Sequence, residues 1–164
     1  MKRSDKRAQI MGLPFGVMFS ILITIFIIVA TFVGIKYFLS LKNCTDTGLF
    51  FSDLQSEIDR AWNTQASNFT FKGFLPSTVE YVCFANLTQG FSGNSNERKI
   101  FDELKTYHSE GNLFIYPRPK KCDFSKQISH INMTGMRNPY CIKNSDKLEI
   151  KITKSFYESL IRAA

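Results

Sequence analysis

Hydrophobic positions divide this chain into one long uninterrupted run and a series of short periodic ones. The long run is LPFGVMFSILITIFIIVATFVGI, Leu13 to Ile35, with no charged residue between Arg7 and Lys36. As a helix its 23 residues reach roughly 35 Å, enough to cross a hydrocarbon core of about 30 Å with some tilt. Pro14 falls in the first turn, where its missing N–H breaks no helical bond. The pattern therefore predicts a membrane-spanning helix, because only a helix satisfies its own backbone in lipid. It divides the chain into a basic tail (1–12), a transmembrane helix (13–42) and an extracytoplasmic domain (43–164).

Beyond the span the periods are shorter. NCTDTG, with Asn43 and Gly48, reads as a helix break. Ser52 with Gln55 then reads as the N-cap of a new amphipathic helix carrying Leu54, Ile58 and Ala61, with Trp62 expected in the core. Phe69 and Phe71 alternate with Thr70 and Lys72 as a strand. TVEYVCF is a second strand, with Val79, Tyr81 and Cys83 on one face. Asn94 and Glu97 open an amphipathic helix carrying Ile100, Phe101, Leu104 and Tyr107 and ending before Gly111. LFIY is a short strand, and residues 127–133 and 140–143 are weaker ones. KLEIKIT alternates most cleanly, Leu148, Ile150 and Ile152 against Lys147, Glu149 and Lys151. Ser155 and Glu158 are expected to open a terminal helix docking Phe156 and Leu160. The resulting fold class is α+β: an N-terminal transmembrane helix followed by an antiparallel sheet domain with two or three helices.

Charge sets the expected orientation. Lys2, Arg3, Lys6 and Arg7 against Asp5 precede the span, whereas Lys36 and Lys42 follow it sparsely. The positive-inside bias places the N-terminus in the cytoplasm and the C-terminal domain outside the cell membrane. The run is too long for a cleavable secretory signal, which has about 7–15 apolar residues. Of the net charge of +7, residues 1–10 supply +3 from four basic and one acidic residue. The rest of the chain is only mildly basic, and nucleic acid is not an expected partner of a domain that faces outward.

Four cysteines, Cys44, Cys83, Cys122 and Cys141, all follow the span. An even number on the oxidising side predicts disulfides. Three connectivities are open; the expected one is Cys44–Cys83 with Cys122–Cys141, which avoids nested loops. Without a C-x-x-C pair or histidines at ligand spacing, neither a zinc site nor any other cofactor is expected. Asn43, Asn68, Asn86 and Asn132 each begin an Asn-x-Thr glycosylation sequon, all beyond the span.

Catalytic signatures are sparse. His108 and His130 belong to no H-E-x-x-H, and there is no P-loop, G-x-G-x-x-G or G-x-S-x-G. GFSGN at 90–94 lacks the elbow spacing, and Asp102 and Glu103 read as solvated charges on a helix. An enzymatic role is not expected. For recognition the best stretch is Tyr116-Pro-Arg-Pro-Lys-Lys121, where Tyr116, Arg118, Lys120 and Lys121 combine ring and charge in a proline-pinned loop. Within the span, Gly12, Gly16, Ser20 and Thr24 recur every four residues and Ala30 with Gly34 repeats the step. That row would let another helix approach closely.

The N-terminus adds a resemblance. KRAQ at 6–9, a basic pair, a small residue and glutamine ahead of a long apolar helix, resembles the class III signal of archaeal type IV pilin-like precursors. The resemblance implies a prepilin-type peptidase as partner, cutting between Ala8 and Gln9 and leaving the apolar helix as anchor or assembly stem. The layout of apolar helix, amphipathic continuation and sheet domain is similar too. Leu13 stands where many pilins carry a glutamate. The expected function is thus a non-enzymatic, single-pass surface protein, a pilin-like or minor pilin-like subunit; the alternative is a monomeric anchored ectodomain that binds a glycan or a partner protein.

Overall fold

A computed structural model describes residues 8–119, 121–145 and 148–163, with side chains in the first helix from Phe15 onward. Residues 1–7 of the basic tail, the side chains of residues 8–14, and Lys120 and Lys147 lie outside the described residues. The order of elements is α1 (Ala8–Trp62), β1 (Ser67–Gly73), β2 (Tyr81–Phe84), a 3₁₀ turn (Ser95–Glu97), α2 (Arg98–Thr106), β3 (Leu113–Tyr116), β4 (Ser125–Lys126), β5 (Tyr140–Lys143), β6 (Leu148–Lys154) and β7 (Arg162–Ala163). The chain forms two compact units, Met1–Leu41 and Lys42–Ala164.

The first unit is the apolar part of α1. It is long and apolar enough to cross a membrane, and none of its most apolar stretch is buried against protein. Phe15, Phe26 and Phe32 are all more than half exposed. A helix that is apolar on every side and covered by nothing is built for lipid. Its hydroxyls turn back onto the helix: Thr24 Oγ1 donates to the Ser20 carbonyl and Thr31 Oγ1 to that of Ile27, each at 2.8 Å. This is the layout of a single-pass membrane anchor.

The second unit is the α+β domain. The end of α1 buries Phe50, Phe51, Leu54, Ile58 and Ala61 against two antiparallel sheets, ordered β1-β6-β7 and β4-β3-β2-β5. In the first sheet Phe71 lies opposite Ile150 and Phe69 opposite Ile152. Leu148, Ile150 and Ile152 face inward and Glu149 and Lys151 outward, as the alternation predicts. In the second sheet β2 and β3 are buried on both faces. Val82, Phe84, Leu113 and Ile115 meet the α1 side. Cys83, Ala85 and Phe114 meet Ile100 and Leu104 of α2. The start of α2 is as expected: the Asn94 N–H donates to Glu97 Oε2 at 2.8 Å.

Several expectations are corrected. Residues 43–48 do not break the helix; α1 runs through them. A Cβ on Gly48 would meet nothing within 4 Å, so this glycine costs about 1 kcal/mol relative to alanine. Burying Phe50 and Phe51 at 3% and 4% exposure outweighs that cost. Thr47 donates to the Asn43 carbonyl at 2.9 Å, inside the helix. Ser52 is therefore a mid-helix residue and not a cap. Val79 packs with Val82 and Phe84, not on the face of Tyr81 and Cys83.

No terminal helix forms either. Residues 155–160 make the turn between β6 and β7, closed by Glu158 N–H to the Ser155 carbonyl (3.0 Å) and Ser155 N–H to Glu158 Oε2 (3.2 Å). The Ser155–Glu158 spacing serves a turn as readily as a cap. The segment that follows buries Ile161, at its bridge to Ile131, and Ala163 of β7, leaving Phe156 63% exposed. Of 127–133 only Ile131 makes a bridge, a parallel one to Ile161, because Ser129 and His130 form a turn with His130 at φ 65°.

The disulfides are Cys44–Cys122 and Cys83–Cys141. The expected pairing, Cys44–Cys83 and Cys122–Cys141, is wrong because strand register decides it. Cys83 on β2 lies directly opposite Cys141 on β5, with Cα atoms 4.0 Å apart. That leaves Cys44 on α1 for Cys122, across 5.1 Å.

Candidate functional site

The loop after β3 is the sequence's best recognition candidate, and its ring and its arginine are engaged by neighbouring side chains of the same domain. Tyr116 Oη donates to Glu103 Oε2 and Tyr107 Oη to Glu103 Oε1, each at 2.9 Å. Glu103 is therefore not the solvated charge expected of it, although its neighbour Asp102 is exposed and pairs with Arg98. Hydrogen bonding to Glu103, then burial, then its negative charge push both phenols above the ordinary tyrosine range; Arg118 opposes this at Tyr107. The Arg118 guanidinium sits 4.7 Å from the ring centres of both Tyr107 and Phe124, a cation held between two aromatic faces. Tyr116 and Arg118 thus belong to one cluster of half-buried rings, with the arginine itself exposed. Lys121 lies elsewhere.

Lys121 lines a groove of about 670 Å³ between α1 and the segment preceding β4. The Cys44–Cys122 disulfide forms part of its wall, and Gln55, Asp59, Asp123 and Lys126 supply polar groups of both signs. Among the described residues, no group of three or more His, Cys, Asp and Glu side chains could hold a metal ion.

At one end of this groove lies a constellation that sequence reading missed. Trp62, the last residue of α1, stacks on His130 with ring centres 3.9 Å apart and planes 13° from parallel. Its indole N–H donates to the Ser159 carbonyl at 3.1 Å. Asp59 Oδ1 lies 3.9 Å from His130 Nε2 and accepts from Gln55 Nε2 at 2.7 Å. Gln55 Oε1 in turn accepts the Ser129 N–H at 2.9 Å. Trp62 is not in the core: it remains 40% exposed. The turn that supplies the Ser159 carbonyl also carries Phe156 and Tyr157, 63% and 95% exposed. The result is a surface with oriented rings, a carboxylate and an amide. Only the aromatic composition of FYESL hinted at it, since His130 is remote from Trp62 in sequence.

The remaining predicted residues are dispersed. Asn43 is within α1 and Asn68 within β1, whereas Asn86 and Asn132 begin turns. Gly16, Ser20 and Thr24 are exposed on α1, and a Cβ at Gly16 would meet nothing within 4 Å. Ala8 and Gln9 are the first of the described residues and lie in α1.

These features define a class: an α+β, disulfide-bonded domain carried on a long apolar helix. Comparison with family models, with curated proteins and with solved structures finds no match to this chain.

Proposed function

We propose that the chain is a non-enzymatic, single-pass membrane-anchored surface protein that serves as a pilin-like or minor pilin-like structural subunit. In this reading the N-terminus is cytoplasmic, a prepilin-type peptidase cuts between Ala8 and Gln9, and the Lys42–Ala164 unit is displayed outside. The observation that carries the reading is the double use of α1. One helix is uncharged and uncovered from Phe15 to Ile35, and buries Phe50, Phe51, Leu54, Ile58 and Ala61 in the core of a sheet domain. Such an element suits a stem that anchors before assembly and packs against other stems after it. Gly16, Ser20 and Thr24, in line with Gly12, give it a face of small residues for close approach.

The test has two parts. Protease applied to intact cells should remove the domain and spare the tail. Cross-linking in membranes should capture wild-type oligomers, and Gly16→Leu with Ser20→Leu should lower their yield about tenfold without reducing insertion. Protection of the domain would overturn the topology. Absence of wild-type cross-links, or equal cross-linking by the double variant, would overturn assembly. The second reading, a monomeric ectodomain that binds a glycan or partner protein, is favoured by the exposed rings of Phe156 and Tyr157 beside Trp62.

A further inference from the structure

The sequons differ sharply in what their backbone allows. An enzyme that reads an asparagine and the hydroxyl two residues on must engage both side chains at once. In α1, Asn43 and Thr45 are turned about 200° from each other around the helix axis, and Asn43 adjoins the Cys44–Cys122 bridge. In β1, Asn68 and Thr70 share the outer face but stand about 7 Å apart along the strand, and Asn68 lies opposite Thr153 in the ladder. Neither segment can fold back on itself without breaking its element.

Asn86 is different. Its Oδ1 accepts both the Thr88 N–H at 3.0 Å and the Thr88 hydroxyl at 2.6 Å, so the two side chains already meet. The turn is held from beneath by buried Asn138, whose Oδ1 accepts the Asn86 N–H and whose Nδ2 donates to the Asn86 carbonyl, each at 2.8 Å. Thr88 itself is exposed. Asn132 has the weaker version, with Oδ1 accepting the Thr134 N–H at 2.8 Å. The two turns flank one groove of about 430 Å³, lined by Asn86, Leu87 and Thr88 on one side and Ile131 and Met133 on the other.

We infer that Asn86 is the principal N-glycan attachment site of this protein, Asn132 the second, and that Asn43 is left unmodified. The proposal rests on the reading that the domain lies outside the cytoplasm. The co-substrate is a lipid-linked sugar phosphate or pyrophosphate. The Asn86 Nδ2 bonds to the anomeric carbon, the bond from that carbon to the phosphate oxygen breaks, and the amide proton leaves with the phosphate. Glycans at Asn86 and Asn132 would crowd one groove and keep that face clear of neighbouring protein.

The experiment expresses the full chain in cells that carry lipid-linked oligosaccharides and their transferase, and maps glycopeptides by mass. Asn86 should be the most occupied sequon, Asn132 next, and Asn43 at least tenfold below Asn86. Thr88→Ala should remove the Asn86 glycan while Thr88→Ser retains it, with both disulfides intact by non-reducing mapping as the check on folding. Asn43 occupied as fully as Asn86, or Asn68 occupied with Asn86 empty, would overturn the assignment. So would four empty sequons. Protease accessibility in the same cells separates the two failures: an accessible domain without glycans sinks this inference alone, and a protected domain sinks the topology with it.

Discussion

Lys154 Nζ lies 2.6 Å from the carbonyl oxygen of Trp62, so the last residue of β6 closes the end of α1. The same ammonium donates to the Thr64 carbonyl at 2.7 Å. The last carbonyls of a helix lack partners within it and carry the negative end of its dipole. A cation placed there by a strand couples helix and sheet. Lys154→Met should destabilise the domain by about 1 kcal/mol, since both hydrogen bonds are exposed to solvent and a surface cation at a helix C-terminus contributes about 0.3–1 kcal/mol. Denaturant unfolding in detergent should show a lower midpoint with an unchanged slope. An unchanged midpoint would mean that water replaces the ammonium at no cost.

The Glu103 cluster predicts a pH dependence at the alkaline end. Tyr107 and Tyr116 are held above the ordinary value of 10.0, first by their hydrogen bonds to Glu103. Because folding raises these values, the stabilisation is fully present below about pH 10 and is lost as pH rises through the folded-state values. Absorbance titration near 295 nm should show two tyrosines ionising later than the rest, and Glu103→Gln should bring them back toward the others. Two phenols that titrate with the rest in wild type would refute the cluster.

At the acid end the sign reverses. Glu158 is held below its ordinary value of 4.5, chiefly by the Ser155 N–H. Its contribution is present above that value and is lost as pH falls through the folded one. The β6–β7 turn should therefore loosen under acid, and the protection of the Ser155 and Glu158 amides relative to their intrinsic exchange rates should fall there. Glu158→Gln should show the same loss of protection at neutral pH.

The two disulfides should reduce in order. Cys44 and Cys122 are both half-buried on the wall of a groove, whereas in the other bridge Cys83 is fully buried against α2 and only Cys141 is half-buried. Thiol exchange needs access to a sulfur, so timed reduction and alkylation should label Cys44 and Cys122 first. The bridges span 78 and 58 residues, so the chain-entropy model gives each a similar stabilisation of about 4 kcal/mol. Equal labelling rates would argue against the groove.

Trp62 is the one tryptophan, so its fluorescence reports on the His130 stack directly. His130→Ala should uncover the indole face and shift its emission to the red, with the fold retained. An unshifted spectrum would mean that the stack does not form in solution.

What the sequence alone determined lies in patterns local enough to be read along the chain. The absence of charge from Leu13 to Ile35, the alternation of Leu148, Ile150 and Ile152, and the Asn94–Glu97 spacing before Ile100 and Leu104 each specify an element through its own periodicity. Tertiary structure decided whatever depends on a partner distant in the chain. Gly48 could stay helical because Phe50 and Phe51 are buried by strands that NCTDTG does not contain. Cys83 met Cys141 because strand register placed them opposite each other, and loop length had no say. Arg162 and Ala163 became strand residues because β6 offered them an edge, although Ser155 and Glu158 equally fit a helix. Tyr116 and Arg118 looked available until α2 brought Glu103 and Tyr107 to them. In each case the local alternatives are close in free energy, and the burial that separates them exists only once the chain is packed.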